Sequence, residues 1–180
     1  MIQMILRAAA RAFGHKYSYD VGYMTHVIDH STRAGLGLTL LPLASHYKGP
    51  KPARQVWAGA LLASTLDGDC GPCGQLVVQF ALQDGVSGDL LRACVEGRLQ
   101  DGGDVALGFR FAQRAMSPSY GQNDYGDEIR RRFGEQALIA ASFAAATGRI
   151  HPVLERGLGT GHACQQIEIE GRMAIRAGTS

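Results

Sequence analysis

The sequence predicts an all-α protein, an irregular helical bundle that forms a single domain. Most of the chain divides into apolar segments rich in good helix formers, separated by Gly, Pro and Asp-Gly turns. β-Branched residues are scarce in apolar runs such as 38–43, which argues against a buried strand there. Only residues 165–170 (QQIEIE) alternate between polar and apolar types as a strand does, and this segment is too short to define a sheet.

In the N-terminal half, Gly14 is expected to end a first, amphipathic helix whose apolar face includes Ile2, Ile5 and Leu6. The apolar run 38–43, which contains a proline, is interpreted as a candidate buried helix, and the Gly-Pro-Lys-Pro sequence after it as a loop. Asp67-Gly68 has the composition of a helix C-terminus. Helices are expected here at residues 1–13, 19–34, 56–66 and 75–82.

In the C-terminal half, Ser87 is expected to be an N-cap and Asp104 to cap the following helix. Residues 148–161 are expected to continue as an irregular segment without a helix. Helices are expected here at residues 87–97, 104–115, 124–133 and 136–146. We divide the chain into an N-terminal helical segment (1–49), a helical core (50–160) and a tail (161–180).

Composition narrows the class of protein. A length of 180 residues suits one domain with a real core, and a formal net charge of +2 argues against nucleic-acid partners. No apolar run approaches the roughly 20 residues of a membrane span. The four cysteines (Cys70, Cys73, Cys94 and Cys164) are too few and too unevenly placed for a secreted disulfide scaffold. We therefore expect a cytoplasmic protein, and we interpret the basic N-terminus as a packing helix rather than a mitochondrial presequence.

The sequence Cys70-Gly71-Pro72-Cys73 lies between two predicted helices and carries the most specific chemistry in the chain. Unsatisfied N–H groups and the dipole at a helix N-terminus favour a thiolate, which is the reactive form of cysteine. The two-residue spacing lets one sulfur attack the other, so the pair can alternate between dithiol and disulfide. We therefore predict that Cys70 and Cys73 are catalytic, with no cofactor and no metal.

Two other interpretations of this pair stay open. Cysteine behaves as a small apolar residue, so both side chains could simply fill space between packed helices. The pair could also be half of a zinc site, which would need two more ligands.

Other motifs carry less weight. Cys-Gly-Pro-Cys is the thioredoxin tetrapeptide, but a thioredoxin fold needs a strand before the pair and a βαβ framework, whereas helices are predicted on both sides here. His26 and His30 have a metal-ligand spacing without the glutamate of a zinc protease, and are interpreted as surface or packing residues. Residues 157–161 (GLGTG) lack the lysine of a phosphate-binding loop, and the arginines at 130–132 are expected to be solvated. Trp57 and Phe80 are expected in the core rather than as a substrate platform.

The succession of motifs resembles a known family. A helix ending in LASTLDG precedes the CxxC turn, and ALQDGVS, DVALGFRFAQRAM, RRRFGEQALIAASFAAATGR and HPVLERGLG follow it. This order is similar to that of the carboxymuconolactone decarboxylase family, in particular its AhpD-like alkylhydroperoxidase branch, over roughly residues 50–160. The resemblance implies an all-helical protein that assembles into trimers or hexamers and that reduces hydroperoxides or exchanges electrons with a partner disulfide. It also implies that Cys73 attacks the peroxide and Cys70 resolves it, whereas the helix argument favours Cys70 as the more exposed sulfur.

The chain departs from the family pattern at the proton relay. The histidine that follows the second cysteine in the family corresponds to Val77, and the glutamate one helix earlier corresponds to Trp57 or Ala58. General-base assistance is worth about 10²–10⁴-fold in rate. Asp67, Asp69 and His162 are the candidate replacements, although the aspartates also suit cap and turn positions and the histidine suits a surface tail.

Three functions follow from these observations. The first is a thiol-dependent antioxidant oxidoreductase in which Cys70 and Cys73 cycle through a disulfide. The second is a family member without catalysis that serves as an oligomeric binding or structural protein. The third is the lactone decarboxylase (lyase) chemistry that names the family, which does not need a thiol pair.

Overall fold

The computed structural model describes residues 1–118, 124–160 and 166–177. These residues form an all-α fold with one small hairpin, which confirms the predicted class. The elements are α1 (Ile2–Tyr17), α2 (Gly22–His30), α3 (Thr32–Ser45), a 3₁₀ helix (Lys51–Ala53), α4 (Arg54–Asp67), α5 (Gly71–Gln83), α6 (Gly88–Val95), α7 (Gly103–Met116), α8 (Asp124–Phe133), α9 (Glu135–Thr147), α10 (Ile150–Gly157), β1 (Gln166–Ile169) and β2 (Arg172–Ile175).

The N-terminal helices differ from the expectation in their boundaries. Helix α1 continues through Gly14 and ends at Ser18, whose φ of 51° is left-handed. The single helix expected over 19–34 is interrupted at Ser31, which is extended and accepts a hydrogen bond from the Ala34 N–H at 3.2 Å. A serine side chain at an N-cap satisfies a free backbone donor, so a new helix, α3, begins there.

The apolar run 38–43 is helical, as proposed, but it is not buried. Leu40 and Leu43 on α3 are 53% and 76% exposed. On α1, Ile2 and Ile5 are also exposed, and Leu6 is the buried member of the predicted apolar face. Helices α1 and α3 therefore carry more apolar side chains than the rest of the described chain buries.

Helix α4 is the centre of the core. Every residue from Val56 to Leu66 is buried, and α4 packs against α5, α7 and α9. Its crossing with α7 is close because both helices carry a glycine at the contact. A Cβ on Gly59 would lie 1.8 Å from the Val105 carbonyl oxygen, and one on Gly108 would lie 1.9 Å from that of Val56. Trp57 fills the same core and donates its indole N–H to the Ser45 carbonyl at 2.9 Å.

Residues 148–161 were expected to lack a helix, and this prediction is wrong for α10. Gly68, at the end of α4, packs against Pro152: a Cβ on Gly68 would lie 2.5 Å from the proline Cβ. Proline is well tolerated in the first turn of a helix because its missing N–H has no partner there. The tail forms the antiparallel hairpin β1–β2, of which only the first strand had a sequence signal.

Within the described residues, Glu135–Gly157 is the stretch whose length and mean hydropathy would allow it to cross a membrane, with 39% of its apolar window buried in the fold. A turn at 148–149 divides this stretch into α9 and α10, and α9 packs against α4 and α7. One such stretch is weak evidence for a span, since a core helix has the same composition.

Candidate redox site

The cysteine pair lies at the junction of α4 and α5. Helix α4 ends at Gly68, and Asp69 adopts a left-handed φ of 57° that turns the chain. Cys70 is the N-cap of α5, and Pro72 lies in the first turn of this helix. The predicted helix–turn–helix setting of the pair is therefore present.

The two sulfurs are at disulfide distance, with the Cα atoms 5.3 Å apart. The Cys70 sulfur also accepts a hydrogen bond from the Cys73 N–H at 3.2 Å. Each residue is 5% exposed, so the expectation that Cys70 is the more exposed of the two cysteines is wrong. The backbone N–H stabilises negative charge on Cys70, as the position at a helix N-terminus predicts.

A buried glutamate completes the site. The Glu155 carboxylate lies 3.6 Å from the Cys70 sulfur through Oε2 and 3.8 Å from the Cys73 sulfur through Oε1. In the dithiol form, each S–H can donate to this carboxylate. The ligand atoms of Cys70, Cys73 and Glu155 all lie within 4.8 Å of one another, so these three residues could hold a metal ion.

Contacts between α10 and the end of α4 position Glu155. Arg156 donates to the Gly68 carbonyl at 2.6 Å, and Arg149 pairs with Asp67 at 2.8 Å. Together with the packing of Gly68 on Pro152, these contacts fix α10 beside the turn that carries the cysteines.

Tyr19 links the glutamate to the cysteines. Its hydroxyl donates to Glu155 Oε1 at 2.7 Å and lies 3.4 Å from the Cys73 sulfur. Burial raises the pKa of Tyr19 far above its usual value, and the neighbouring Tyr23 and Glu155 raise it further. The phenol therefore stays protonated and acts as a hydrogen-bond donor rather than as a base.

Cys73, but not Cys70, lines a partly open cavity of about 250 Å³. The cavity is mainly apolar, and its walls come from α1, α2, α3, α4, α5, the end of α9 and the start of α10. Val77 and Phe80 continue the α5 wall beyond Cys73. Among the polar residues that line the cavity, Tyr23 places its hydroxyl 2.7 Å from His151 Nδ1. Burial lowers the pKa of His151, and His46 lowers it further, so the imidazole is neutral at pH 7.

Asp67 and Asp69, two of the three candidate replacements for the family relay, form surface ion pairs instead. Val77 and Ala58 are buried apolar residues, and Trp57 is in the core as predicted. Asp67 pairs with Arg149, and Asp69 pairs with Arg176 at 2.9 Å, both at the surface.

The third candidate replacement, His162, and the fourth cysteine, Cys164, lie outside the described residues. Cys94 is a buried free cysteine, and burial raises the pKa of its thiol to about 12.

The remaining motifs have structural roles where the structure describes them. His26 and His30 are exposed, and His30 Nδ1 is hydrogen-bonded to the His26 carbonyl at 2.8 Å. Arg130 and Arg132 form surface ion pairs on α8 and with its neighbours. Phe80 is half-buried: it packs against the core and also lines the cavity, so the expected core position is only part of its role.

Sequence reasoning missed Glu155, Tyr19 and His151. Tyr19 follows the left-handed end of α1, where its N–H bonds to the Gly14 carbonyl at 3.0 Å. Glu155 and His151 lie on α10, which was not predicted. A usable signal was Pro152 ahead of Val-Leu-Glu-Arg, since proline is favoured in the first turn of a helix.

Comparison of the chain with models of known protein families, with curated proteins and with solved structures finds no match in any of the three. The likeness to the AhpD-like branch therefore rests on the order of sequence motifs alone. What the structure adds is independent of that likeness: an all-α fold and a CxxC pair at disulfide distance.

Proposed function

We propose that this protein is a thiol-dependent hydroperoxidase in which Cys70 and Cys73 alternate between dithiol and disulfide. One observation carries the proposal: a sulfur pair at disulfide distance shares a buried site with a carboxylate, and one of its sulfurs lines a cavity. Perturbed or acid–base groups gathered at a cavity are typical of active sites.

Cys73 is the attacking sulfur, because it is the cysteine that lines the cavity. Its thiolate attacks the terminal peroxide oxygen, the O–O bond breaks, and one proton goes to the departing alkoxide. The products are the Cys73 sulfenic acid and an alcohol, so the sulfur loses two electrons and the peroxide gains them.

Cys70 resolves the sulfenic acid. Its sulfur already accepts the Cys73 N–H, which favours the thiolate needed for attack on Cys73. The S–S bond forms and water leaves. Two electrons and two protons from an external dithiol then restore the pair.

Glu155 takes the place of the missing family relay. It is within reach of both sulfurs, accepts the thiol proton of Cys73 and returns it to the leaving oxygen. The Tyr19 hydroxyl holds Oε1 in place at 2.7 Å. A small pocket of about 40 Å³, lined in part by Glu155 and Thr160, has room for a water that exchanges this proton with solvent.

The cavity favours an organic hydroperoxide with an apolar body over hydrogen peroxide, since most of its wall is apolar. Because both cysteines are buried, a small dithiol that enters the cavity is a better reductant than a bulky partner protein.

We also propose membership of the AhpD-like branch, assembly into a trimer or hexamer, and a cytoplasmic location. The exposed apolar residues on α1, α3 and α9 support an assembly, because a second copy could cover them. Light scattering on the purified protein tests the oligomer. The low net charge supports the absence of nucleic-acid partners.

The test is a count of free thiols. We expect that cumene hydroperoxide removes two thiols from the reduced protein, that dithiothreitol restores them, and that Cys73→Ser abolishes the loss. The matched control is Cys164→Ser, which should lose two thiols as the unmodified protein does. Thiols that stay unreactive until the protein unfolds would refute the proposal.

The burial of both sulfurs favours one second candidate, a binding or structural protein with an inert pair. The same experiment decides between the two, because an inert pair gives no thiol loss in the folded protein.

A further inference from the structure

We propose that the reduced form of this site binds one soft divalent metal ion, Zn²⁺ in the first place, through Cys70, Cys73 and Glu155. This metal site goes beyond the proposed peroxide chemistry. It shares with that chemistry only the ability of the sulfur pair to be reduced.

The distances fit a tetrahedral ion. With Zn–S near 2.3 Å and Zn–O near 2.0 Å, two ligands at a tetrahedral angle are about 3.5 Å apart for sulfur and oxygen and about 3.8 Å apart for two sulfurs. Glu155 Oε2 lies 3.6 Å from the Cys70 sulfur and Oε1 lies 3.8 Å from the Cys73 sulfur, so each sulfur is close to the sulfur–oxygen separation of such a site. Reduction breaks the S–S bond, so the sulfurs need only small side-chain rotations to reach ligand separation.

The groups around these ligands resemble those of a built metal site. Tyr19 donates to Glu155 Oε1 at 2.7 Å, and the Cys73 N–H donates to the Cys70 sulfur at 3.2 Å. Such hydrogen bonds orient metal ligands and hold them in their charged forms. The pocket of about 40 Å³ beside Glu155 has room for a water as the fourth ligand.

The chemistry of the ligands selects the ion. Two thiolates favour Zn²⁺ over Mg²⁺ or Ca²⁺, which prefer oxygen ligands. The cation also offsets the cost of holding two thiolates and a carboxylate together in a buried site. Because oxidation to the disulfide takes two electrons from the sulfurs and removes both thiolates, the bound ion and the disulfide exclude each other.

The experiment uses Co²⁺ as the spectroscopic probe and the full chain, reduced with a phosphine and desalted under nitrogen. We expect one Co²⁺ per chain, a thiolate-to-cobalt charge-transfer band with the intensity of two thiolates, and the visible bands of a tetrahedral ion. One equivalent of Zn²⁺ should displace the cobalt. Protein oxidised to the disulfide should show no band.

Three variants separate this site from simple chelation by a dithiol. Tyr19→Phe removes a hydrogen bond to a metal ligand and should weaken Co²⁺ binding by roughly 10–100-fold. Glu155→Gln changes the ligand itself and should weaken Co²⁺ binding by more than that. Cys164→Ser should bind as the unmodified protein does. Circular dichroism establishes that each variant is folded, and Glu155→Asp provides a second carboxylate test if Glu155→Gln does not fold.

Two outcomes would overturn the proposal: no cobalt band from the reduced protein, or equal affinities of unmodified protein and Glu155→Gln. The thiol count with cumene hydroperoxide is run in a chelator, so metal binding and peroxide reduction can each fail while the other holds.

Discussion

Replacement of Glu155 by glutamine is the sharpest test of the proposed chemistry. The substitution keeps the size of the side chain and an oxygen that can accept the Tyr19 hydrogen bond, but it removes the base beside both sulfurs. Loss of a general base costs about 10²–10⁴-fold in rate, which corresponds to about 3–5 kcal/mol in the activation free energy. We expect the second-order rate constant for cumene hydroperoxide to fall by that factor.

The same substitution should change stability little. A hydrogen bond to a charged group contributes about 1.5–3 kcal/mol and a neutral one about 0.5–1.5 kcal/mol, so the Tyr19 contact loses about 1 kcal/mol. Removal of a buried charge offsets part of this loss. We therefore expect the free energy of unfolding in urea to change by about 1 kcal/mol or less.

The assay is a single turnover of reduced protein in a stopped-flow instrument, followed by loss of free thiols. Glu135→Gln is the matched control, because it makes the same chemical change at an exposed acid that pairs with Arg130 on the surface. This control should react at the unmodified rate. If Glu155→Gln also reacts at the unmodified rate, the carboxylate is not the base and the assignment fails.

Three other predictions follow from burial and packing. Cys94, with its pKa raised to about 12 by burial, should not react with a thiol reagent at pH 8 until the protein is denatured, and early labelling found by mass spectrometry would contradict this. Burial lowers the pKa of His151, so below about pH 6.5 the unfolded chain takes up a proton that the folded protein resists. The free energy of unfolding should therefore fall by up to about 1.4 kcal/mol per pH unit. Urea titrations at several pH values should show a shallower fall for His151→Gln. Gly59→Ala should lower the free energy of unfolding by about 3 kcal/mol or more, because its Cβ would lie 1.8 Å from a carbonyl oxygen of α7. Gly37→Ala, in open space on α3, should raise the free energy of unfolding by about 0.4–1 kcal/mol. Equal thermal shifts of the two variants would refute this account of the helix crossing.

Local sequence signals were sufficient for the parts of the site that lie on one stretch of chain. Asp67-Gly68 and the proline after Cys70 predicted a helix end and a helix start, and both are present. The absence of the family histidine and glutamate was also visible in the sequence, since Val77 cannot carry a proton. These are properties of neighbouring residues, which periodicity and capping rules describe well.

The partners of the cysteines could not be predicted, because they come from distant parts of the chain. Tyr19 is 54 residues from Cys73, and Glu155 is 82 residues from it. Their approach depends on the left-handed end of α1 and on the packing of α10 against Gly68. Neither contact leaves a periodic pattern in the sequence.

The sequence by itself determined the helical class, the turn that holds the sulfur pair and the thiol chemistry open to it. Tertiary structure decided which acid faces the pair and which sulfur lines the cavity. The physical reason is that helix formation and capping depend on residues within about one turn of each other, whereas an active site depends on which helices meet, and that is set by close packing throughout the core.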